Sequence, residues 1–568
     1  MPGPLIAVNT GDVVRVLVRN QLTETPTNKR HLSMHFHGIR QYGSLDADGV
    51  PYLTQRPIAP GEEYLHEFRV INQAGTHFYH AHVGMQESTL FGPIIIYESE
   101  EANPENLSQN KNKTTTVKGQ ANLSSNQTLS KLTAGPYTYD EERLILLSEW
   151  WQRTQQDFEH YLVGPNYAGI PDAETILLNG RGIRDSNNIL DFTCNGYETI
   201  LVEPSKTYRL RVIGSTAFRT LGFSIADHVM TIIEVDGELT KPYNTTLLEV
   251  APGQRFSVLL RTNQVPDSYG IQVVRRWSEE IKRPTNGLAV LRYVTNSTST
   301  NKTIFTENDT SNVESRGTLQ LITEPVKQPP ALLPTFPGPE KEVPNWIWSD
   351  IEPLYGVDPV VYRSPSRTIK LRAVDKLQPD NGVRWYVNDV SFMEEGGDKK
   401  PILEQIMEDI RPNIDAANAT LPNGYNPILG TYPVENFEII DLVFQSTYEP
   451  GKPCRSHPWH THGHSHYFIA SGAGEYVEHI HGQIRNIKTP VARDITMVYP
   501  HIDPELTALS IKDNVTHVGC GWSKVRLIAD NPGIWAVHCH NTAHMLMGMM
   551  VVLEESPELI SKANFREE

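Results

Sequence analysis

The chain has 568 residues, 39% of them apolar, and a net charge of −17 from 67 acidic against 50 basic residues. That length is a soft prior for three or four domains, and the acidic balance excludes a nucleic-acid backbone or an anionic membrane surface as a natural partner. No apolar run approaches the ~20 residues of a membrane-spanning helix.

Val14, Val16 and Val18 alternate with Arg15, Leu17 and Arg19, the period of a half-buried strand. The opening residues lack the basic, apolar, small-residue order of a signal peptide. The chain therefore reads as starting inside a β-domain (1–100), and a natural extension with a secretion signal is expected before it. MHFHG places His35 and His37 two apart, and GTHFYHAHVG does the same for His80 and His82. On strands each pair shares a face, although one such pair alone carries little weight. From 101 to 136 the composition shifts to Asn, Ser, Thr and Lys without periodicity, as in a solvated insertion. Acceptor sequons occur at Asn106, Asn112, Asn122, Asn126, Asn244, Asn296, Asn301, Asn308, Asn418 and Asn514, which predicts N-linked glycans on a secreted, extracellular protein.

A second β-domain spans 137–294, with strands in RLILLSEWW, TYRLRVIG and RFSVLLRT. Its His160 and His228 stand alone, so it reads as a spacer that lends one wall to a substrate cleft. A proline-rich and sequon-rich linker, 295–344, leads to the last domain, 345–568. There SHPWHTHGHSHYF carries His457, His460 and His462, and GIWAVHCHNTAHMLMGMM carries His538, Cys539, His540, His544 and Met549. If the segment around Cys539 is extended, His538 and His540 project to one face and the thiol to the other, so one strand serves two metal centres. A thiolate, two imidazoles and a weak thioether make the ligand set of an electron-transfer copper. A structural zinc site is the alternative, but it wants one closed set of four ligands, and far more paired imidazoles are present. GTHFYHAH overlays GIWAVHCH at a constant offset, with Ala81 where Cys539 stands, and HFHG from His35 recurs as HTHG from His460. Such self-similarity predicts two copies of one metal-bearing β-unit.

The blocks HFHG, HAH, HPWHTHGH and HCHxxxH, in this order, resemble those of the multicopper oxidases, and GTHFYHAHVGMQ, LSEWW, LLNGRG and VNDVSF are similar to segments of the ascorbate-oxidase branch. The resemblance implies an all-β chain of three cupredoxin-like Greek-key β-sandwich domains holding four coppers. The type 1 copper would take His457, Cys539 and His544, with Met549 axial. His35 and His460 would hold the type 2 copper, and His37, His80, His82, His462, His538 and His540 the type 3 pair. Electrons from a small organic reductant, an ascorbate-like ene-diol or a phenol, would pass through Cys539 to His538 and His540 and reduce O2 to water. A laccase-type phenol oxidase, a ferroxidase and a non-catalytic copper protein are the competing readings. By the same resemblance Trp150, Trp151 and Trp385 would line the reductant pocket.

Reducing O2 consumes protons, so acids are needed at the cluster. Asp48 in DADG matches one that the family supplies. The other position, three after the cysteine, holds Thr542, which relays a proton but cannot store one at neutral pH. Either proton supply is impaired there, in which case Thr542→Glu repairs it, or another acid such as Glu87 takes its place. Cys454 and Cys520 share a domain and are candidates to pair. The resemblance implies that Cys194 bridges to a cysteine upstream of the chain's start. The remaining histidines, His464 and His466 among them, are assigned supporting roles around the ligands.

Overall fold

Period-two alternation dominates the sequence and the regular structure is accordingly nearly all strand. The computed structural model describes residues 2–23, 30–100, 102–104, 131–183, 196–277, 287–294, 330–336, 347–394, 399–412, 419–512 and 515–560. Cys194, most of the 101–136 insertion, the greater part of the 295–344 linker and every sequon asparagine except Asn244 lie outside these residues. No helix among the described residues is long and apolar enough to cross a membrane.

In the first unit Ile6–Asn9, Phe91–Tyr97, Gly75–Ala81 and Met34–His37 form one sheet in that order, while Val13–Arg19 pairs with Glu63–Arg69. Val14 and Val18 turn inward onto Phe36, Phe68 and Ile94, and Arg15 and Arg19 face solvent, as the alternation requires. The second unit stacks a six-stranded sheet centred on Thr207–Gly214 and Arg255–Arg261 on a five-stranded one. The third repeats that plan, with Gly533–Cys539 inside a five-stranded sheet between Met550–Glu555 and His457–Thr461. In each of the three units one sheet begins with an edge strand parallel to its neighbour: Ile6–Asn9 on Phe91–Tyr97, Glu198–Val202 on Gly287–Tyr293, Tyr432–Val434 on Met550–Glu555. This is the cupredoxin-like β-sandwich, three times over.

The units are docked by buried polar contacts. Arg255, fully buried in the second unit, donates to both carboxylate oxygens of Asp494 in the third at 2.6 and 2.7 Å and to the carbonyl of Thr76 in the first at 3.1 Å. Arg56 of the first unit forks onto Glu404 of the third. Cys454 and Cys520 form a disulfide, with Cα atoms 6.1 Å apart.

Candidate metal centre

Two antiparallel strand pairs supply most of the ligands in matching register. His35 lies opposite His80 where Met34–His37 meets Gly75–Ala81, and His460 lies opposite His538 where His457–Thr461 meets Gly533–Cys539. The two pairs converge: the His37 and His460 rings stack at 3.9 Å between centroids, and those of His35 and His462 at 4.0 Å. Three sets result, His37 with His80 and His540, His82 with His462 and His538, and His35 with His37 and His460. Within each set the ligand atoms lie within 4.8 Å of one another.

These rings suit a metal because of what their other nitrogens do. A carbonyl only accepts, so a ring nitrogen facing one must carry the proton. Nδ1 of His35 donates to Asp48 O at 2.7 Å, that of His80 to Ala81 O at 3.0 Å, and that of His460 to Asp494 O at 2.9 Å. Their Nε2 atoms are left as lone pairs, buried and without a hydrogen-bond partner. Such fixing of the tautomer by an outer hydrogen bond is the usual setting of a metal-ligating histidine. Burial holds His37, His80, His82, His460, His462 and His540 well below the ordinary imidazole range, with neighbouring rings adding to the effect, and lowers His538 to about 4. The rings are therefore neutral donors, and a cation is what compensates so many buried lone pairs.

Cys539 ends its strand with its side chain turned away from this cluster. Its Sγ lies 3.6 Å from Nδ1 of His457 and 3.7 Å from Nδ1 of His544. Asn541 makes the second contact possible: its side chain caps the short helix Thr542–Leu546 by accepting from the backbone N–H of His544, which folds the chain back onto Cys539. Burial pushes the Cys539 thiol up, so it ionises only when a cation displaces the proton. Met549 is fully buried beside it, and its carbonyl accepts from the Cys539 N–H at 3.1 Å. His464 and His466 are tied to Glu555 and to the hydroxyls of Thr461 and Thr496, outside the ligand sets.

The three tryptophans part company. Trp385 is buried with its ring 5.2 Å from that of His457 and 4.8 Å from that of His544. Trp151 belongs to the hydrophobic core and donates to the carbonyl of Pro171, and Trp150, the last residue of the preceding strand, is 47% exposed. None of the three lines the cavity of about 340 Å³ that reaches His544. Its aromatic walls are Tyr161, Phe218 and Trp277, and its cations are Arg219, Arg276 and Arg455. Trp150 and Trp151 diverge where the strand ends, Trp151 into the core and Trp150 toward solvent. Ten of the fourteen cavity residues belong to the second unit and four to the third.

Around the cluster the acids are decisive. Asp48 is fully buried, with Oδ2 3.0 Å from Nδ1 of His462 and Oδ1 3.3 Å from Nδ1 of His35. Thr542 donates its hydroxyl to Oε2 of Glu87 at 2.6 Å, and Oε1 of Glu87 lies 3.5 Å from Nδ1 of His540 and 3.8 Å from Nδ1 of His80. Burial pushes Glu87 up to about 8, and the Thr542 hydroxyl pulls the other way. A carboxyl group from the first unit thus occupies the space beside the position where the family's acid is absent. Sequence reading missed Asp494, whose Oδ1 is 3.2 Å from Nε2 of His37; an acid inside the otherwise apolar run DITMVY was the available signal. It missed Arg255 as well, for which no local signal exists.

Gly253 of the second unit closes over the cluster at φ +81°, where an added Cβ would lie 2.9 Å from Cε1 of His37 and 2.9 Å from Cδ2 of His540. Gly253→Ala is expected to cost about 1–3 kcal/mol in backbone strain and to lower metal retention at the cluster. Thermal unfolding and metal analysis of the purified variant check this, and unchanged values would show that the loop yields.

Fold and site together define a cupredoxin-like metalloprotein in which a cysteine-containing site is joined through one strand to a histidine cluster. Three models described as multicopper oxidase match residues 1–101, 141–296 and 397–559. The chain is 29% identical to an L-ascorbate oxidase of Nicotiana tabacum, over 99% of this chain and 86% of that protein. To laccase-like multicopper oxidase 1 of Thermothelomyces thermophilus it is 28% identical, over 97% and 82%. Among solved structures it is similar to the laccase of Botrytis aclada (TM-score 0.70, 23% identity, 99% of this chain and 83% of that one). It is similar too to Fet3p, a multicopper oxidase that functions in iron import (0.69, 24%, 100% and 88%). The chain belongs to the multicopper oxidase family. It is a copper-dependent oxidoreductase with O2 as acceptor.

Proposed function

We propose that the chain oxidises a small organic reductant, an ene-diol or a phenol, at a type 1 copper that His457, Cys539, His544 and Met549 would hold. It reduces O2 to water at a cluster held by His35 and His460 (type 2) and by His37, His80, His82, His462, His538 and His540 (type 3). One observation carries this reading: Cys539 belongs to one ligand set while its chain neighbours His538 and His540 each belong to a set of the histidine cluster. Copper at these sites would supply one-electron chemistry beside the sulfur and a store of four electrons at the histidines.

The chain's own groups do the rest. The peptide links from Cys539 to His538 and His540 are the covalent path between the sites. Trp385 packs on the rings of His457 and His544 and keeps water from them. Asp48 orients His462 and His35 through their Nδ1 atoms. Glu87, held by the Thr542 hydroxyl, offers a proton at Oε1 on the side of His540 and His80. The setting is a secreted glycoprotein: Asn244 is an exposed sequon asparagine, and the Cys454–Cys520 bridge belongs to an oxidising compartment.

Reconstitution tests the reading. Four coppers per chain are expected, with blue absorption from the thiolate centre that Cys539→Ser abolishes. Protein that takes up a single copper, or none, and stays colourless overturns the assignment and favours a non-catalytic role. In steady-state assays ascorbate or a diphenol is expected to outpace Fe(II), because among the described residues no Asp or Glu lines the cavity at His544. A clear preference for Fe(II) would make the chain a ferroxidase.

A further inference from the structure

The cavity at His544 has a charge that its expected donors do not all share. Three guanidinium groups line it, and the acids nearest them stand behind rather than in it. Buried Asp172 is paired with Arg219 and buried Glu249 with Arg276. Arg455 has no carboxylate partner among the described residues and lies near the Tyr167 hydroxyl. Arg455 and Arg219 both line the same cavity as His544. His544 itself has Nδ1 turned to Cys539, and its Nε2 is buried with no hydrogen-bond partner. Once Nδ1 holds a metal, Nε2 carries the proton and is a donor waiting for an acceptor. Flat apolar surface is present as well, in Phe218, over which Arg219 sits at 4.2 Å, and in half-buried Trp277.

We propose that this cavity is built for a negatively charged reductant, a planar donor with a carboxylate or ene-diolate oxygen that Arg455, with Arg219 beside it, holds. The redox-active ring then lies between Phe218 and Trp277 with an oxygen on Nε2 of His544. The inference deepens the oxidase reading and rests on it. Guanidinium presents paired N–H groups to carboxylate geometry, and charge-assisted bonds are about twice as strong as neutral ones. A cationic donor meets the same charges as repulsion. The donor is oxidised by one electron to its radical, a phenolic proton passes to solvent, and O2 takes up the electron in the established reaction.

The test compares 3,4-dihydroxybenzoate with its methyl ester on the copper-loaded enzyme, with ascorbate as a second anionic donor. Arg455→Gln is expected to lower the acid-to-ester ratio of kcat/KM by about tenfold or more, mainly through KM, and to slow ascorbate by a similar factor. The difference in potential between acid and ester is the same for both enzymes, so the change in ratio reads the guanidinium. Benzoate, which cannot be oxidised here, is expected to bind the unaltered enzyme by calorimetry where benzamide does not. Raised ionic strength should weaken that binding. A ratio that Arg455→Gln leaves unchanged, or benzamide binding as well as benzoate, overturns the proposal. Failure to oxidise any donor would instead overturn the oxidase reading beneath it.

Discussion

Glu87→Gln is expected to slow reoxidation of the fully reduced enzyme by O2 by about 10²-fold or more, the lower range of what a positioned acid contributes. Glutamine keeps the shape and still accepts from the Thr542 hydroxyl, but it has no proton to give beside His540 and His80. Copper content and blue absorption should stay unchanged, which separates proton supply from folding, and Glu87→Asp should restore part of the rate. Thr542→Val, which removes only the hydroxyl that holds Glu87, should slow reoxidation less. Thr542→Glu, the repair that the sequence suggests, is now expected to bring no gain. It would place a second carboxyl group against a buried one, and two like charges in one site cannot both ionise. Stopped-flow mixing of reduced enzyme with O2 decides the matter. If Glu87→Gln reoxidises at the parental rate, Glu87 is a structural partner of Thr542 and the protons come by another route.

Arg255→Met is expected to be the most destabilising single substitution proposed, at about 3–5 kcal/mol, because removing one member of a buried ion pair strands the other. Asp494 would lose two short hydrogen bonds, and Asp236, whose Oδ1 is 3.5 Å from the same guanidinium, would keep only Arg493, at 3.4 Å, as a cationic neighbour. The consequence reaches the metal centre, since Asp494 supports His37 by its carboxylate and His460 by its carbonyl. Denaturant unfolding should therefore shift together with loss of copper from the cluster. Combining Arg255→Met with Asp494→Asn should cost less than the sum of the two, as buried partners are strongly non-additive. Additive costs would mean that the pair is not coupled and that the units are held by other contacts.

What the sequence determined by itself is what depends on short-range geometry. The period of two in strands places His35 with His37, His80 with His82, and His538 and His540 on the face opposite Cys539, so which side chains share a face follows from spacing, while their division into ligand sets came from the family resemblance. The order of the blocks along the chain gave the three β-sandwich units. Cys454 and Cys520 were a legible candidate pair, but whether they meet was not. Tertiary structure decided everything that depends on how the units dock. Glu87 reaches Thr542 across 455 positions, and Arg255 reaches Asp494 across 239; neither distance leaves a local pattern. The cavity at His544 was not legible for the same reason. Trp150 and Trp151 carry equal weight as letters, but Trp151 packs into the core and Trp150 looks outward, while the walls at His544 come from Phe218, Arg219, Trp277 and Arg455 on loops of two units. Ligand spacing is written in the chemistry of one strand, whereas charge and shape around a cavity arise only when separate surfaces are brought together.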